Sequence, residues 1–363
     1  MTELLVVGVC IGIAFFLLKS RLNYVALPEL PKGPSGGSPD ITIIIPARNE
    51  AGNIAAAVRS FPASVVLVVD DHSTDATKEI ALSLGACVIE APPLVEGALG
   101  KPAACWAGSK KAATEWLPFV DADTCYEPAF LNSLVQYAEK HDLEFVSVFL
   151  HSTHKTVIEK VLLPYAFALY FSGVSARAVN DQNSREALAN GQCMLFRREA
   201  YQRIGGHGAV IRSVIEDVML ARIGKLKGLR MRTIRAETLG HVRMYDGLGA
   251  IWRGFKKNSF RFLVVNPRTG VQVIAASVLL TSWLPVLLIV WSTGLHGRIG
   301  FEALALAAAP SLCLLPWYGN GSKRLSWMAA SGPLAIYLFQ LIALDGMFTA
   351  LAGRKASWKD RRV

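Results

Sequence analysis

Carboxylates recur in this sequence where apolar runs end. Residues 41–45 lead into Pro46, Ala47, Arg48, Asn49 and Glu50. Residues 65–69 lead into Asp70, Asp71, His72, Ser73, Thr74 and Asp75, and residues 117–120 into Asp121, Ala122 and Asp123. Adjacent carboxylates beside an apolar run are costly to desolvate unless they bind something. Asp70 or Asp71 could accept the N3 proton of a uracil ring. A helix N-cap at Ser73 or Thr74, with Asp75 complementing the dipole, accounts for the later residues but not for Asp70. Asp121 and Asp123 form a hard-oxygen pair of the kind that holds Mg2+ or Mn2+ together with substrate phosphates. Such an ion neutralises a leaving diphosphate.

Further along, Gly100, Lys101 and Pro102 open a predicted helix. A lysine at a helix N-terminus opposes the dipole, an objection that a nearby diphosphate removes; the alternative is an exposed lysine. Asn190, Gly191 and Gln192 precede another apolar run, 193–196, and Gly205, Gly206 and His207 read as a turn. Glu216 and Asp217 follow Val214 and Ile215 at a helix start. They are either a favourable acidic first turn or a site in which Asp217 is a general base for an acceptor hydroxyl, its pKa tuned by its surroundings. His241 is either a metal or phosphate contact or a satisfied structural histidine.

The elements that must position these groups alternate. A strand at 41–45 is followed by a helix at 50–61, a strand at 65–69, a helix at 74–84 stopped by Gly85, and a strand at 87–90. A helix at 101–113 and a strand at 117–120 complete the series. Continuous β-branched runs suit strands buried on both faces. The alternation predicts an α/β fold with a doubly wound, mostly parallel, Rossmann-like sheet. Ligands of such sheets bind at the carboxyl ends of the strands, where the acids lie.

Hydrophobic residues make up 52% of the 363, high for a soluble chain, and they are concentrated in blocks. Residues 4–18 are apolar and end at Lys19, Ser20 and Arg21. No basic stretch precedes them and no clear cleavage site follows, so they read as an uncleaved anchor over 1–21 rather than a signal peptide. The following basic residues put the next domain, 40–245, in the cytoplasm. Residues 271–291 are an uncharged run long enough to span a bilayer. Residues 303–317 are shorter and hold Pro310 and Pro316. Residues 327–351 carry Asp345 as their one charge. Together 271–351 form a C-terminal transmembrane region, which makes the protein a multi-pass one of the cell membrane. A basic tail, 352–363, follows. Three crossings would leave that tail outside, against its charge, unless the proline-bearing segment is re-entrant or lies flat.

Between these regions, 246–265 holds an amphipathic stretch. Trp252, Phe255, Ser259 and Phe262 share one side, and Arg253, Lys256, Lys257 and Arg261 lie on or near another, as in an interfacial helix. Residues 157–172, with Pro164, read as a similar helix or a span. The net charge of +10 suits nucleic acid, an anionic membrane or a phosphate-bearing substrate; the apolar segments favour the last two, and nucleic acid is not expected. The six cysteines hold no CxxC pair and read as small apolar residues, not as a zinc site or a disulfide framework.

In their order, Pro46-Ala47-Arg48-Asn49-Glu50, Asp70 to Asp75, Gly100-Lys101, Asp121-Ala122-Asp123, Gly205-Gly206 and Glu216-Asp217 resemble glycosyltransferase family 2, the inverting GT-A class. The match covers about three-fifths of the chain. Gly205-Gly206-His207, Glu216-Asp217, residues 241–245 and Lys257-Asn258 resemble its membrane-bound carotenoid branch, with diaponeurosporenoate glycosyltransferases and hopene-associated proteins. The resemblance implies a nucleotide-sugar donor, UDP-linked by expectation, and a lipid or isoprenoid acceptor at the membrane. The donor would be held by Pro46, Arg48, Glu50, Asp70, Asp71, Lys101, Asp121, Gly191 and Gln192. Asp121 and Asp123 would serve Mg2+ or Mn2+, Asp217 would be the catalytic base, and Glu216, Trp252 and Arg253 would face the acceptor and membrane. The QxxRW motif of processive synthases is absent, since Trp252-Arg253 stands reversed and without the glutamine. Ile215 replaces the usual threonine. Three other readings compete: a ceramide or polyprenyl-phosphate glycosyltransferase, a non-catalytic membrane scaffold with the same fold, and a nucleotidyltransferase.

Overall fold

The computed structural model describes residues 2–33, 39–258, 267–292, 299–318, 326–352, 357–358 and 361–362. Its centre is an 8-stranded sheet. Strands β1 (Ile43–Ala47), β2 (Val66–Asp70), β3 (Cys87–Glu90) and β4 (Trp116–Val120) pair in parallel in the order β3-β2-β1-β4. The alternation of side chains explains why β1 and β2 read as unbroken apolar runs. Ile43, Ile45, Val66 and Val68 face one core with α2 (Ile54–Arg59) and α5 (Phe130–Lys140). Ile44, Leu67 and Val69 face another with α4 (Gly100–Lys111), α8 (Arg198–Ile204) and α9 (Glu216–Leu226).

Beyond β4 the sheet turns mixed. Strand β7 (Cys193–Arg197) runs antiparallel to β4 and to β6 (Phe145–Ser152). Strand β6 is parallel to β8 (Met231–Val242), and β5 (Thr124–Tyr126) closes the edge antiparallel to β8. The α/β, mostly parallel expectation holds, with this mixed half added. Two predicted helices are shorter than expected. The helix after β1 starts at Ile54, because the backbone N–H groups of Glu50 and Ala51 donate to Thr77 Oγ1 and Asp75 Oδ2 rather than entering a helix. The helix after β2 is α3 (Thr77–Ser83), preceded by a turn in which His72 is left-handed with φ 56°.

Among the described residues, three stretches are long and apolar enough to cross a membrane: Glu3–Val25, Pro267–Ile289 and Met328–Thr349. They lie in α1 (Thr2–Val25), in α11 (Pro267–Thr281) continued by α12 (Trp283–Ser292), and in α14 (Gly332–Leu351). The proline-bearing segment is one helix, α13 (Ile299–Tyr318), packed beside α1. The helix at 157–172 is largely covered by its neighbours. It is α6 (Val157–Gly173), opened by a Thr156/Glu159 capping box. Leu162, Leu163, Tyr165 and Ala168 are buried in a cluster shared with α1, α11, α13 and α14. The amphipathic stretch forms α10 (Gly247–Asn258) and packs against α14. Ser259, Arg261 and Phe262, with most of the basic tail, lie outside the described residues.

Candidate active site

The carboxyl ends of β1, β2 and β4 converge on a cavity of about 1020 Å³. Strand β1 delivers Pro46 and Arg48, with Glu50 just beyond; β2 delivers Asp71; β4 delivers Asp121 and Asp123. Helix α4 brings Lys101 in its first turn, and Leu99, Gly100 and Pro102 border the same space. No side-chain hydrogen bond caps the N-terminus of α4, and the positive end of its dipole borders the cavity. Helix α9 brings Glu216 and Asp217 in its first turn, and Gly191 and Gln192 approach from the chain entering β7.

A compact charge cluster lies at the centre. Lys101 Nζ is 2.7 Å from Asp121 Oδ1 and 3.0 Å from Glu216 Oε1. Both oxygens of Asp217 are held by backbone: Gly191 N–H donates to Oδ2 at 3.0 Å and Val218 N–H to Oδ1 at 2.8 Å. Gly191 is where these groups meet. A Cβ built on it would fall 2.7 Å from Lys101 Nζ, 3.6 Å from Asp121 Oδ2 and 3.7 Å from Asp217 Oδ2. The backbone of residue 191 therefore occupies space that any side chain would contest.

The electrostatics follow from burial and from the count of charges. Burial pushes the Asp217 carboxyl up to about 7, and the adjacent negative charge of Glu216 adds to this, against the pull of Lys101 and the two N–H donors. Burial also raises Asp121, although Lys101 opposes it. Burial pushes Glu216 up as well, but Lys101 and then Lys257 of α10 outweigh it and leave Glu216 below the usual range. Burial lowers His207, of the Gly205-Gly206-His207 turn, to about 3, so it is neutral; its ring Nδ1 lies 2.8 Å from the Tyr201 hydroxyl.

Asp70 and Asp71 part company. Asp71 lines the cavity, and Arg48 Nη1 donates to its carbonyl at 2.6 Å and to that of His72 at 3.1 Å. Asp70 does not line it; its Oδ2 accepts from Ser73 N–H at 3.1 Å and so holds the turn. Gln192 borders the cavity while its Oε1 accepts from Leu150 N–H at 2.9 Å, which also gives it a structural part. Trp252 and Arg253 are not among the lining residues. Trp252 donates to Asp345, and Arg253 is exposed. His241 is exposed on β8, opposite Cys125, and does not line the cavity.

The cavity does not end at the charges. It runs on between α6, α10, α11 and α14, where Phe167, Tyr170, Phe255, Ile274, Phe339 and Leu344 line it. Ile274, Val278 and Leu344 line this end and remain 49%, 64% and 45% exposed, so the apolar end is not sealed. Sequence reasoning missed the contribution of α6 and α14. The signals were the uncharged run through 161–173 inside the otherwise polar domain and the long apolar run around Asp345.

For a metal, Asp121 and Asp123 offer hard oxygens on one wall. Among the described residues no third His, Cys, Asp or Glu joins such a pair to make a ligand group. That donor set fits Mg2+ or Mn2+ completed by substrate phosphate oxygens, and does not fit a closed protein cage.

Comparison with known proteins agrees with this geometry. Residues 42–205 match the family model described as Glycosyl transferase family 2. A 4,4'-diaponeurosporenoate glycosyltransferase of Staphylococcus aureus (strain USA300) is 29% identical over 232 residues, 60% of this chain and 60% of that protein. The chain thus spans about three-fifths of the length of the curated relatives it matches. A solved mannosyltransferase, PcManGT from Pyrobaculum calidifontis, described in complex with GDP-Man and Mn2+, has a TM-score of 0.53. It is 17% identical, with 97% of this chain and 99% of that chain covered; at this identity the likeness concerns the fold alone.

Proposed function

On the premise that residues 42–205 belong to glycosyl transferase family 2, we propose that the protein moves one sugar from a nucleotide-sugar, UDP-linked, to a lipid or isoprenoid acceptor at the membrane. The observation that carries this reading is the continuity of one cavity from the charged strand ends to the apolar wall of α6, α11 and α14. A soluble acceptor needs no such wall, and a nucleotidyltransferase would need no room for a long apolar chain.

In this reading the donor lies across the strand ends. Asp71, beside Arg48, faces the base, and Lys101 with the N-terminus of α4 faces the diphosphate. The acceptor lies in the apolar end with its polar head at Asp217. An acceptor hydroxyl gives its proton to Asp217 as its oxygen attacks the anomeric carbon; the bond from that carbon to the diphosphate breaks on the far side, so configuration inverts. An acceptor carboxylate has no proton to give, and a protonated Asp217 instead donates to it and orients it. Lys101 then turns from Asp121 to the departing diphosphate, whose charge it offsets. Asp121 and Asp123 would hold Mg2+ or Mn2+, whose chemistry there is neutralisation of the diphosphate charge. The diaponeurosporenoate enzyme's name supports a long apolar carboxylic acid as the first acceptor to try.

Membranes containing the protein, incubated with several radiolabelled UDP-sugars and Mn2+ and then extracted with organic solvent, test this. Label from one donor in the lipid phase is expected. Label confined to water-soluble products for every donor would overturn the reading.

A further inference from the structure

Asp345 is the one charged residue of α14, inside the apolar stretch Met328–Thr349. A carboxylate in such a segment is disfavoured unless paired. Here both oxygens are engaged by one helix: Trp252 Nε1 donates to Oδ2 at 2.6 Å and Lys256 Nζ to Oδ1 at 2.8 Å. Trp252 and Lys256 are one turn apart on α10, so Asp345 grips a single face of that helix.

The grip matters because of what α10 carries. Ala250, Gly254, Phe255 and Lys257 line the cavity, and Lys257 acts electrostatically on Glu216 in the charge cluster. On the other side of the grip, Gln340, Leu344 and Met347 of α14 line the same cavity. The start of α10 is tied to α6, since Gly247 N–H donates to Glu159 Oε1 at 3.1 Å and Arg243 pairs with Glu159 at 2.9 Å. Helix α10 is therefore held at its start by Glu159 of α6 and along its length by Asp345 of α14.

We propose that Asp345 is a positioning residue for transfer: through Trp252 and Lys256 it locks α10 onto α14 and so fixes the cavity wall between the charge cluster and the apolar end. The reading above enters only through the kinetic arm of the test.

The full-length protein in lipid nanodiscs is compared as wild type, Asp345→Asn, Asp345→Glu and Lys256→Met. The first readout, independent of turnover, is hydrogen exchange. In Asp345→Asn and Lys256→Met the amides of α10 are expected to exchange about tenfold faster while the sheet is unchanged, as local rather than global opening requires; Asp345→Glu stays near wild type. The second readout is transfer: in Asp345→Asn the acceptor KM rises about tenfold with UDP affinity unchanged, and Asp345→Glu restores it. Unchanged α10 exchange would overturn the proposal. So would acceleration spread over the whole chain with a lowered Tm, which marks a merely structural residue, or local acceleration with wild-type kinetics. If the wild type transfers no sugar, the reading of function fails by itself, and the exchange data still decide whether Asp345 locks α10.

Discussion

Gly191 donates its backbone N–H to Asp217 Oδ2 at 3.0 Å, while the space above its Cα is bounded by Lys101 Nζ. One glycine thus orients the acid and leaves room for the cation. Gly191→Ala puts a methyl 2.7 Å from Lys101 Nζ, so the lysine must leave Asp121 or Glu216. A fall in kcat/KM of about 10²-fold is expected from misplacing one electrostatic group. The chain folds normally, since the change adds one methyl at an open cavity. Steady-state kinetics beside a melting curve check both parts.

The elevated pKa of Asp217, about 7, gives a pH test whose sense depends on the acceptor. Below that value the group is protonated and above it ionised. With a hydroxyl acceptor, kcat/KM rises with pH through about 7, because the ionised base takes the proton. With a carboxylate acceptor it falls through the same region, because the protonated acid is the donor. Asp217→Asn removes the inflection in either case. It abolishes transfer to a hydroxyl by about 10²–10⁴-fold, while retaining much of the activity toward a carboxylate, because an amide still donates.

Asp70 and Asp71 separate stability from binding. Asp71→Ala is expected to weaken UDP binding about tenfold or more, the loss of one buried hydrogen bond to the base. Asp70→Ala leaves UDP affinity nearly unchanged and destabilises the fold by about 1 kcal/mol through the freed Ser73 N–H. Calorimetry with UDP and denaturant titration distinguish the two.

The apolar end is tested by filling it. Ala343 lines the cavity on α14. Ala343→Trp is expected to raise the acceptor KM by about tenfold or more, the worth of a few blocked apolar contacts. UDP affinity stays the same. Loss of UDP binding in this variant would mean that the two ends are not the independent subsites described.

Much of the site was legible because strand ends are written locally. The runs at 41–45, 65–69 and 117–120 became β1, β2 and β4, and the acids behind them face one cavity, Asp70 and Asp75 excepted. Asp70 and Asp71 look alike in sequence, but alternation along the strand end sends one inward and the other to the cavity. The mixed half of the sheet was not legible, since the antiparallel pairing of β7 with β4 and β6 is a non-local choice that side-chain periodicity does not encode. Nor was α6, whose uniformly apolar faces with Pro164 give no indication of which side is covered. The sequence offered no sign of what Trp252 meets: it donates to Asp345, 93 residues further on, and neither Trp252 nor Arg253 is among the residues lining the cavity.

The most direct measurement counts products. The purified full-length protein in nanodiscs receives a radiolabelled UDP-sugar, Mn2+ and a long-chain isoprenoid acceptor, and released UDP and lipid-borne label are both quantified for wild type and Asp217→Asn. The account predicts one UDP released for each sugar found on lipid, with the product and its pH inflection altered together by Asp217→Asn. UDP release with no label on lipid, or equal yields and the same pH profile in both proteins, would contradict it.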